Sequence, residues 1–265
     1  MKPLLSIIIP SYNSQEYISD CLNSVLEQTF KDLEVIVIND ASTDESLKII
    51  EDYKVNYPDI IKGISNPENY GVARTRHEGI LVAKGEYMTT LDSDDYYIDE
   101  HKLEKEMELV LTHKERTGND IIAYSNIVYV QGDQSPIKIG GTPQNLKEGD
   151  VFQDILSRTC MIPRDFTMIK QLFFEVGGYD FSFPIYEDWD LKIRLAKRYN
   201  FYYTGINGTA YRRHEGGLSF CPIPEHIKWM RKVFKKNISL CHKSIRKDVR
   251  KRFNDFIGEM IKRKN

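Results

Sequence analysis

A chain of 265 residues with 41% hydrophobic and 29% charged residues can bury a substantial core, as one large domain or two small ones. Its longest apolar runs, such as Leu4 to Ile9 and Val35 to Ile38, are far too short to span a bilayer, and Met1-Lys2-Pro3 opens with no secretory signal pattern. The net charge of −2 divides unevenly: residues 226–265 hold 14 Lys/Arg against 3 Asp/Glu, leaving 23 against 36 elsewhere. An acidic body with a basic tail predicts an anionic partner for the tail. Four scattered cysteines (Cys21, Cys160, Cys221, Cys241), with no CxxC pair and no metal-ligand spacing, predict reduced thiols in a cytoplasmic protein.

Leu4 to Ile9 is a continuous apolar run ended by Pro10, which favours a strand covered on both faces, as in a parallel sheet. Ser14 is placed to cap a helix to about Gln28, with Tyr17, Ile18, Cys21, Leu22, Val25 and Leu26 on one stripe. Leu33 to Ile38 is the next strand, and Asn39 to Asp44 turns into a second helix. Ile60 to Ile64 is a short strand, Asn66 to Gly71 a loop, and a helix follows to about Ala83. Gly85 stops it, and Glu86 to Leu91 is a strand that runs into Asp92-Ser93-Asp94-Asp95. This alternation is the signature of a doubly wound α/β sheet, with ligands at the carboxyl ends of the strands. A helix from Asp99 to about Glu115 and a strand from Ile121 to Val130 come next, then a Gly/Pro-containing stretch, Gln131 to Gly149, that reads as a mobile loop. Glu187 to Tyr199 has helical spacing. Beyond Pro222 and Pro224, Ile227, Met230, Phe234, Ile238, Cys241, Ile245, Val249, Phe253, Phe256 and Met260 recur every three or four residues. That predicts a long amphipathic helix or helical pair with basic outer faces.

Three carboxylates within four residues, directly after a buried strand, repel one another unless a cation sits between them. A divalent metal shared with diphosphate oxygens is one resolution, since Mg²⁺ and Mn²⁺ favour oxygen ligands. A solvated turn whose aspartates cap the next helix is the other, and the position at a strand's carboxyl end favours the first.

Ser6-Ile7-Ile8-Ile9-Pro10-Ser11-Tyr12-Asn13, Val37 to Asp44, Asn69-Tyr70-Gly71-Val72-Ala73-Arg74 and Leu91 to Asp95 stand in an order that resembles glycosyltransferase family 2. Gly177-Gly178-Tyr179-Asp180 and Glu187-Asp188-Trp189-Asp190-Leu191 are similar to the acceptor half of that family, and the resemblance runs from about residue 4 to 219. It implies a GT-A fold, that is, a Rossmann-like doubly wound sheet, here with a basic amphipathic helical tail appended. The expected division is residues 1–220 for the GT-A domain, with 1–98 binding nucleotide and 99–220 the acceptor, and 221–265 for the tail. It also implies an inverting reaction that uses a nucleotide-sugar donor and Mn²⁺ or Mg²⁺. The Gln-x-x-Arg-Trp motif and membrane helices of processive members are absent, which points to single additions onto a glycan or lipid-linked acceptor in cell-surface polysaccharide synthesis.

By that resemblance, Pro10, Tyr12 and Asn13 receive the base, Tyr12 by stacking or else as a plain surface tyrosine. Asp40 accepts from base or ribose, or forms an Asx-turn, and Ser42 or Asp44 could cap the helix. Asn69, Gly71 and Arg74 lie beside the nucleotide, with Arg74 alternatively a surface arginine. Asp92 and Ser93 belong to the ribose and metal surroundings, Asp94 holds the metal, and His214 is a further ligand or a structural histidine. Arg212, Arg213, Gly216 and Gly217 suggest a flap over the diphosphate. Asp188 is the base that takes the acceptor's proton. Glu187 and Asp190 have the same chemistry but share a different helix face, and Trp189 packs in the core or stacks on a sugar. UDP is the expected nucleotide; donor sugar, acceptor and linkage are not legible. The competing classes are a non-catalytic nucleotide- or membrane-binding module, a phosphohydrolase using Asp92 and Asp94, and a nucleotidyltransferase that would need a Gly-rich first loop. Nothing predicts nucleic acid as a partner. The tail has three readings: contact with an anionic membrane surface at the inner face, a homodimer contact, or packing on its own domain.

Overall fold

The first apolar run forms the middle of a five-stranded sheet. In the computed structural model, which describes residues 2–131, 146–214, 217 and 220–262, β1 (Leu5–Ser11) lies parallel to β2 (Leu33–Asn39) and to β4 (Tyr87–Thr90). β3 (Ile61–Ser65) extends the sheet beyond β2 in parallel, and β7 (Met168–Ile169) closes the β4 edge antiparallel. The order is therefore β3-β2-β1-β4-β7. Pro10 does not end β1. It pairs in register with Ile38, and its missing N–H falls on the β4 side, where the ladder has stopped at Ile8 and Thr90.

Alternation along β1 splits the core. Leu5, Ile7 and Ile9 share one buried cluster with α1 (Ile18–Leu26) and α4 (Lys102–Thr117), through Ile18, Leu22, Leu103 and Met107. Ile8 belongs to a second cluster with α3 (Val72–Val82) and the later helices. α3 lies so close to the sheet that a Cβ on Gly79 would stand 2.5 Å from Ile38 and 2.7 Å from Ile8, so only glycine fits there. α2 (Ser46–Asn56) packs beside β3 and β2. Ser14 does not cap α1: its hydroxyl is bonded to that of Ser11 at 2.7 Å, its carbonyl closes a turn onto Tyr17 and Ile18, and regular helix starts at Ile18.

The second half carries a small sheet, β5-β8-β6, in which β8 (Phe201–Arg213) pairs in parallel with β6 (Ile122–Gln131) and antiparallel with β5 (Tyr96–Tyr97). α4 packs against it, α5 (Phe152–Ser157) and α7 (Glu187–Ala196) pack on each other, and α6 (Lys170–Glu175) lies beside β7. Of the stretch expected as a mobile loop, residues 132–145 lie outside the described residues, as does Gly216 of the expected flap.

The tail folds as a helical pair, α8 (Ile223–Asn237) and α9 (Arg246–Lys262), joined through two short 3-10 turns. Met230, Val233, Phe234, Ile238, Cys241, Val249, Phe253 and Ile257 are buried in the same cluster as Ile8, Trp189 and Phe201. Ile227, Ile245, Phe256 and Met260 pack against that cluster. The compositional boundary near residue 221 is thus not a boundary in the core. Among the described residues no helix is long and apolar enough to cross a membrane, and all four cysteines are free.

Candidate active site

Strand ends and loops converge on a cleft of about 1380 Å³. Pro10, Tyr12 and Asn13 line it from the end of β1, Asp40 from the end of β2, and Asn69 and Gly71 from the turn before α3. Asp92, Ser93, Asp94 and Asp95 line it from the end of β4, Asp188 from α7, and His214 from the end of β8. Tyr12 is half exposed, an open ring on the rim. Asn13 adopts φ 49° and ties its loop to the next one, its side-chain carbonyl accepting from the Thr43 N–H at 2.8 Å.

Asp40 is buried, and its carboxylate organises the loop before α3. It accepts from the Asn66 amide at 2.7 Å and from the Tyr70 and Gly71 N–H groups at 2.9 Å. Those three bonds leave about one of the four lone-pair sites of a carboxylate for a ligand. Gly71 holds φ 79° at the start of α3. Capping of α2 falls to Asp44, which accepts from the Ser46 N–H at 3.0 Å.

Arg212 of the expected flap lies outside the cleft wall, and so does Arg74. It points to the outer face of α3, where it pairs with Glu78 at 3.0 Å and lies 3.6 Å over the Tyr70 ring. The arginine inside is Arg76, fully buried, which donates to Glu187 at 2.5 Å and to Asp92. Its position was legible: Ala73, Arg76, Ile80 and Ala83 form one buried stripe at helical spacing, and Arg74 is off it. Arg164 had no comparable signal. It comes from a loop with no regular period, and it lies between two of the cluster's carboxylates, 2.8 Å from Asp92 and 3.0 Å from Asp95.

The ligand oxygens of Asp92, Asp94 and Asp95 lie within 4.8 Å of one another. Burial pushes the Asp92 carboxyl up, but Arg164 and Arg76 outweigh it and hold the group below its usual range. Asp95 goes the other way, driven well up by burial and by the neighbouring Asp94 charge. Two guanidinium groups therefore do not neutralise the trio, which leaves demand for a further cation. Both Asp92 oxygens face arginines, and the two Asp95 oxygens take Arg164 and the Arg212 N–H. Among the described residues, the hydrogen-bond partner of Asp94 is His214, whose Nε2 lies 3.0 Å from Oδ2. That hydrogen bond raises the His214 pKa against the burial that lowers it. The donor set fits a Mn²⁺- or Mg²⁺-like ion best at Asp94 and His214, with Asp92 adding its remaining lone pairs.

On α7 the three acids separate cleanly. Glu187 is buried against Arg76, and Asp190 is fully buried under Arg194, Lys236 and Asn237. Asp188 lines the cleft beside Glu187, but its carboxylate is held by the Lys192 ammonium at 2.8 Å, whereas that of Glu187 is tied to Arg76. Burial raises its pKa, yet Lys192, Arg164 and Arg76 prevail and keep it ionised well below the usual carboxylate range. Trp189 is core: it is 1% exposed and donates its N–H to the Ile155 carbonyl at 2.8 Å.

A parallel sheet with a carboxylate trio at its carboxyl edge and a small second sheet beside it is the GT-A architecture. The model of Glycosyl transferase family 2 matches residues 6–171, and the chain belongs to that family. The match includes Asp92 to Asp95 and ends before Asp188 and His214. The chain is 30% identical over 232 residues, 85% of its length and 83% of the relative's, to the Escherichia coli UDP-Glc:alpha-D-GlcNAc-diphosphoundecaprenol beta-1,3-glucosyltransferase WfaP. It spans 55% and 64% of the length of two curated relatives from Haemophilus influenzae and Bacillus subtilis, each 33% identical. Among solved structures, S. aureus TarS 1–349 in complex with UDP-GlcNAc superposes at TM-score 0.73 with 19% identity, over 94% of this chain and 71% of that one. A Pyrobaculum calidifontis mannosyltransferase in complex with GDP-Man and Mn²⁺ superposes at 0.66 with 17% identity, over 89% and 65%.

Proposed function

We propose that this chain is an inverting, single-addition glycosyltransferase that moves a sugar from a UDP-sugar to a hydroxyl of a glycan or lipid-linked acceptor in polysaccharide synthesis. The observation that carries the reading is one cleft holding both a carboxylate trio after β4 and a separate, ionised carboxylate, Asp188, on α7. The Tyr12 and Asp40 end receives the nucleoside, by ring stacking and by the one acceptor site Asp40 has left. The diphosphate lies toward Asp92 and Asp94. Asp94 and His214 would hold a divalent ion there, which would supply positive charge to the departing nucleoside diphosphate. Asp188 takes the proton of the acceptor hydroxyl as its oxygen bonds to the anomeric carbon, on the face opposite the leaving group, so the configuration inverts. Relatives and neighbours support the donor class, since WfaP is named for UDP-Glc and TarS was solved with UDP-GlcNAc.

Thermal-shift titration with UDP, GDP and dTDP, each with and without Mn²⁺, tests the donor site. UDP with Mn²⁺ should stabilise the chain most, and Asp94→Ala should abolish the metal-dependent part. No shift with any nucleotide would overturn the assignment.

A further inference from the structure

Among the described residues, Arg158 is a cation with no anion paired to it. It closes α5 in the left-handed conformation, φ 62°, where a non-glycine side chain is strained. Its guanidinium carbon stands 4.9 Å from the Trp189 ring centre, 5.3 Å from Tyr186 and 5.7 Å from Phe256. Its Nε is buried with no hydrogen-bond partner, and among the described residues no carboxylate pairs with the group. The other two arginines in the cleft's interior, Arg76 and Arg164, are each bonded to two carboxylates. Aromatic faces orient a guanidinium without neutralising it, so Arg158 presents its full charge to whatever fills the cleft.

Its position says which molecule that is. Arg158 lies against Tyr186, two residues before Asp188, and near enough to Lys192 to oppose that group's charge. Among the described residues, the ion pair of Asp188 is with Lys192. The surplus positive charge thus stands at the Asp188 end of the cleft, away from the nucleotide's diphosphate in the reading above. The lining of the cleft also includes the apolar side chains of Met161, Phe220, Ile223 and Met260, with Phe220 65% exposed.

We propose that Arg158 is the anchor of an acceptor subsite for a phosphate ester, so that the acceptor carries a phosphate group within about one sugar of the hydroxyl that meets Asp188. This rests on the glycosyltransferase reading for the identity of the acceptor, though not for the binding of phosphate. The phosphate can belong to a lipid-borne sugar, whose hydrocarbon would lie on those apolar side chains, or to a water-soluble phosphodiester glycan. Either one meets the guanidinium through two parallel N–H···O bonds, a geometry lysine does not reproduce.

The test uses the full chain saturated with UDP and Mn²⁺, titrated by calorimetry with n-decyl phosphate, glycerol phosphate and uncharged n-decyl glucoside. Arg158→Met, which keeps the side-chain stem on the rings, should weaken phosphate binding by about tenfold or more, the share of one charge-assisted pair. Arg158→Lys should restore part of it, which separates lost charge from lost fold. Decyl phosphate bound well ahead of glycerol phosphate identifies the lipid-borne source, and equal binding identifies the soluble one. If neither phosphate binds, or if Arg158→Met binds both as the parent does, the subsite is overturned. Failure of UDP itself to bind would instead remove the donor reading, and the same titrations without UDP would still report on Arg158.

Discussion

At the scale of single residues, the Asp188–Lys192 pair sets the terms of the proposed chemistry. The carboxylate is ionised over the whole physiological range, and the ammonium that keeps it so also makes it a weak base. Proton uptake by Asp188 must therefore come late, when the acceptor oxygen is already bonding to carbon. Asp188→Asn keeps the size and loses the basicity. UDP should bind it as it binds the parent, while transfer falls by about 10² to 10⁴; undiminished transfer would move the base elsewhere. Lys192→Met gives the sign test. With the ammonium gone, burial of Asp188 acts less opposed and its pKa rises. The acid limb of the pH–rate profile should then shift to higher pH, and an unmoved limb would show that Lys192 does not act on the base.

At the scale of elements, α7 shows how one sequence run divides its labour. Asp190 was legible in the sequence as an acid with the right chemistry and no way to choose its job. The fold puts it at the junction with α8, where it accepts from Arg194 at 2.9 Å, from Lys236 at 2.9 Å and from Asn237 at 2.7 Å. Removing one partner of a buried charge set leaves the others uncompensated, so Asp190→Ala should cost about 3–5 kcal/mol in urea denaturation. Asp180 braces the same lysine from outside: burial raises its pKa, but the bonds from Lys236 and Ser182 pull it down to about 2. A depressed carboxylate stabilises the fold above its unfolded pKa, near 4, and loses that contribution as pH falls toward 2. Asp180 is largely solvated, so the contribution is small beside that of Asp190. β1 and β2 were readable because each carries a continuous apolar run, Leu4 to Ile9 and Val35 to Ile38, between turn residues, and β3 and β4 from their place in the strand–helix alternation. β5 and β7 were not, being two residues long, and β8 was hidden because Thr204, Gly205, Asn207 and Gly208 break its hydrophobic pattern. Ligand positions on strand ends could be read from the sequence. Arg164, brought from a loop by tertiary folding alone, could not.

At the scale of the molecule, the charge asymmetry and the tail's packing bear on each other. Most of the tail's apolar stripe is used inside the chain: Met230, Val233, Phe253 and Ile257 are each at most 3% exposed. What it offers outward is Arg231, Lys232, Lys235, Lys247, Arg250 and Lys251, all exposed. Contact with a bilayer through such a surface is electrostatic rather than insertive, because these six side chains are all charged. Each basic residue near an anionic surface contributes about 1 kcal/mol, and the attraction fades within a screening length. The chain should therefore sediment with phosphatidylglycerol vesicles at low salt and release at about 1 M salt, where that length is about 3 Å. Reversing Lys247, Arg250 and Lys251 to Glu should abolish sedimentation and leave the UDP-dependent thermal shift in place, since none of the three lines the cleft. Binding that persists in high salt would require a buried apolar face to come out of the core, which the stacking of Phe234 on Phe253 at 4.1 Å opposes. No binding at low salt would leave the basic face to solvent or to a second copy, and sedimentation equilibrium of the same reversal variant would separate those two.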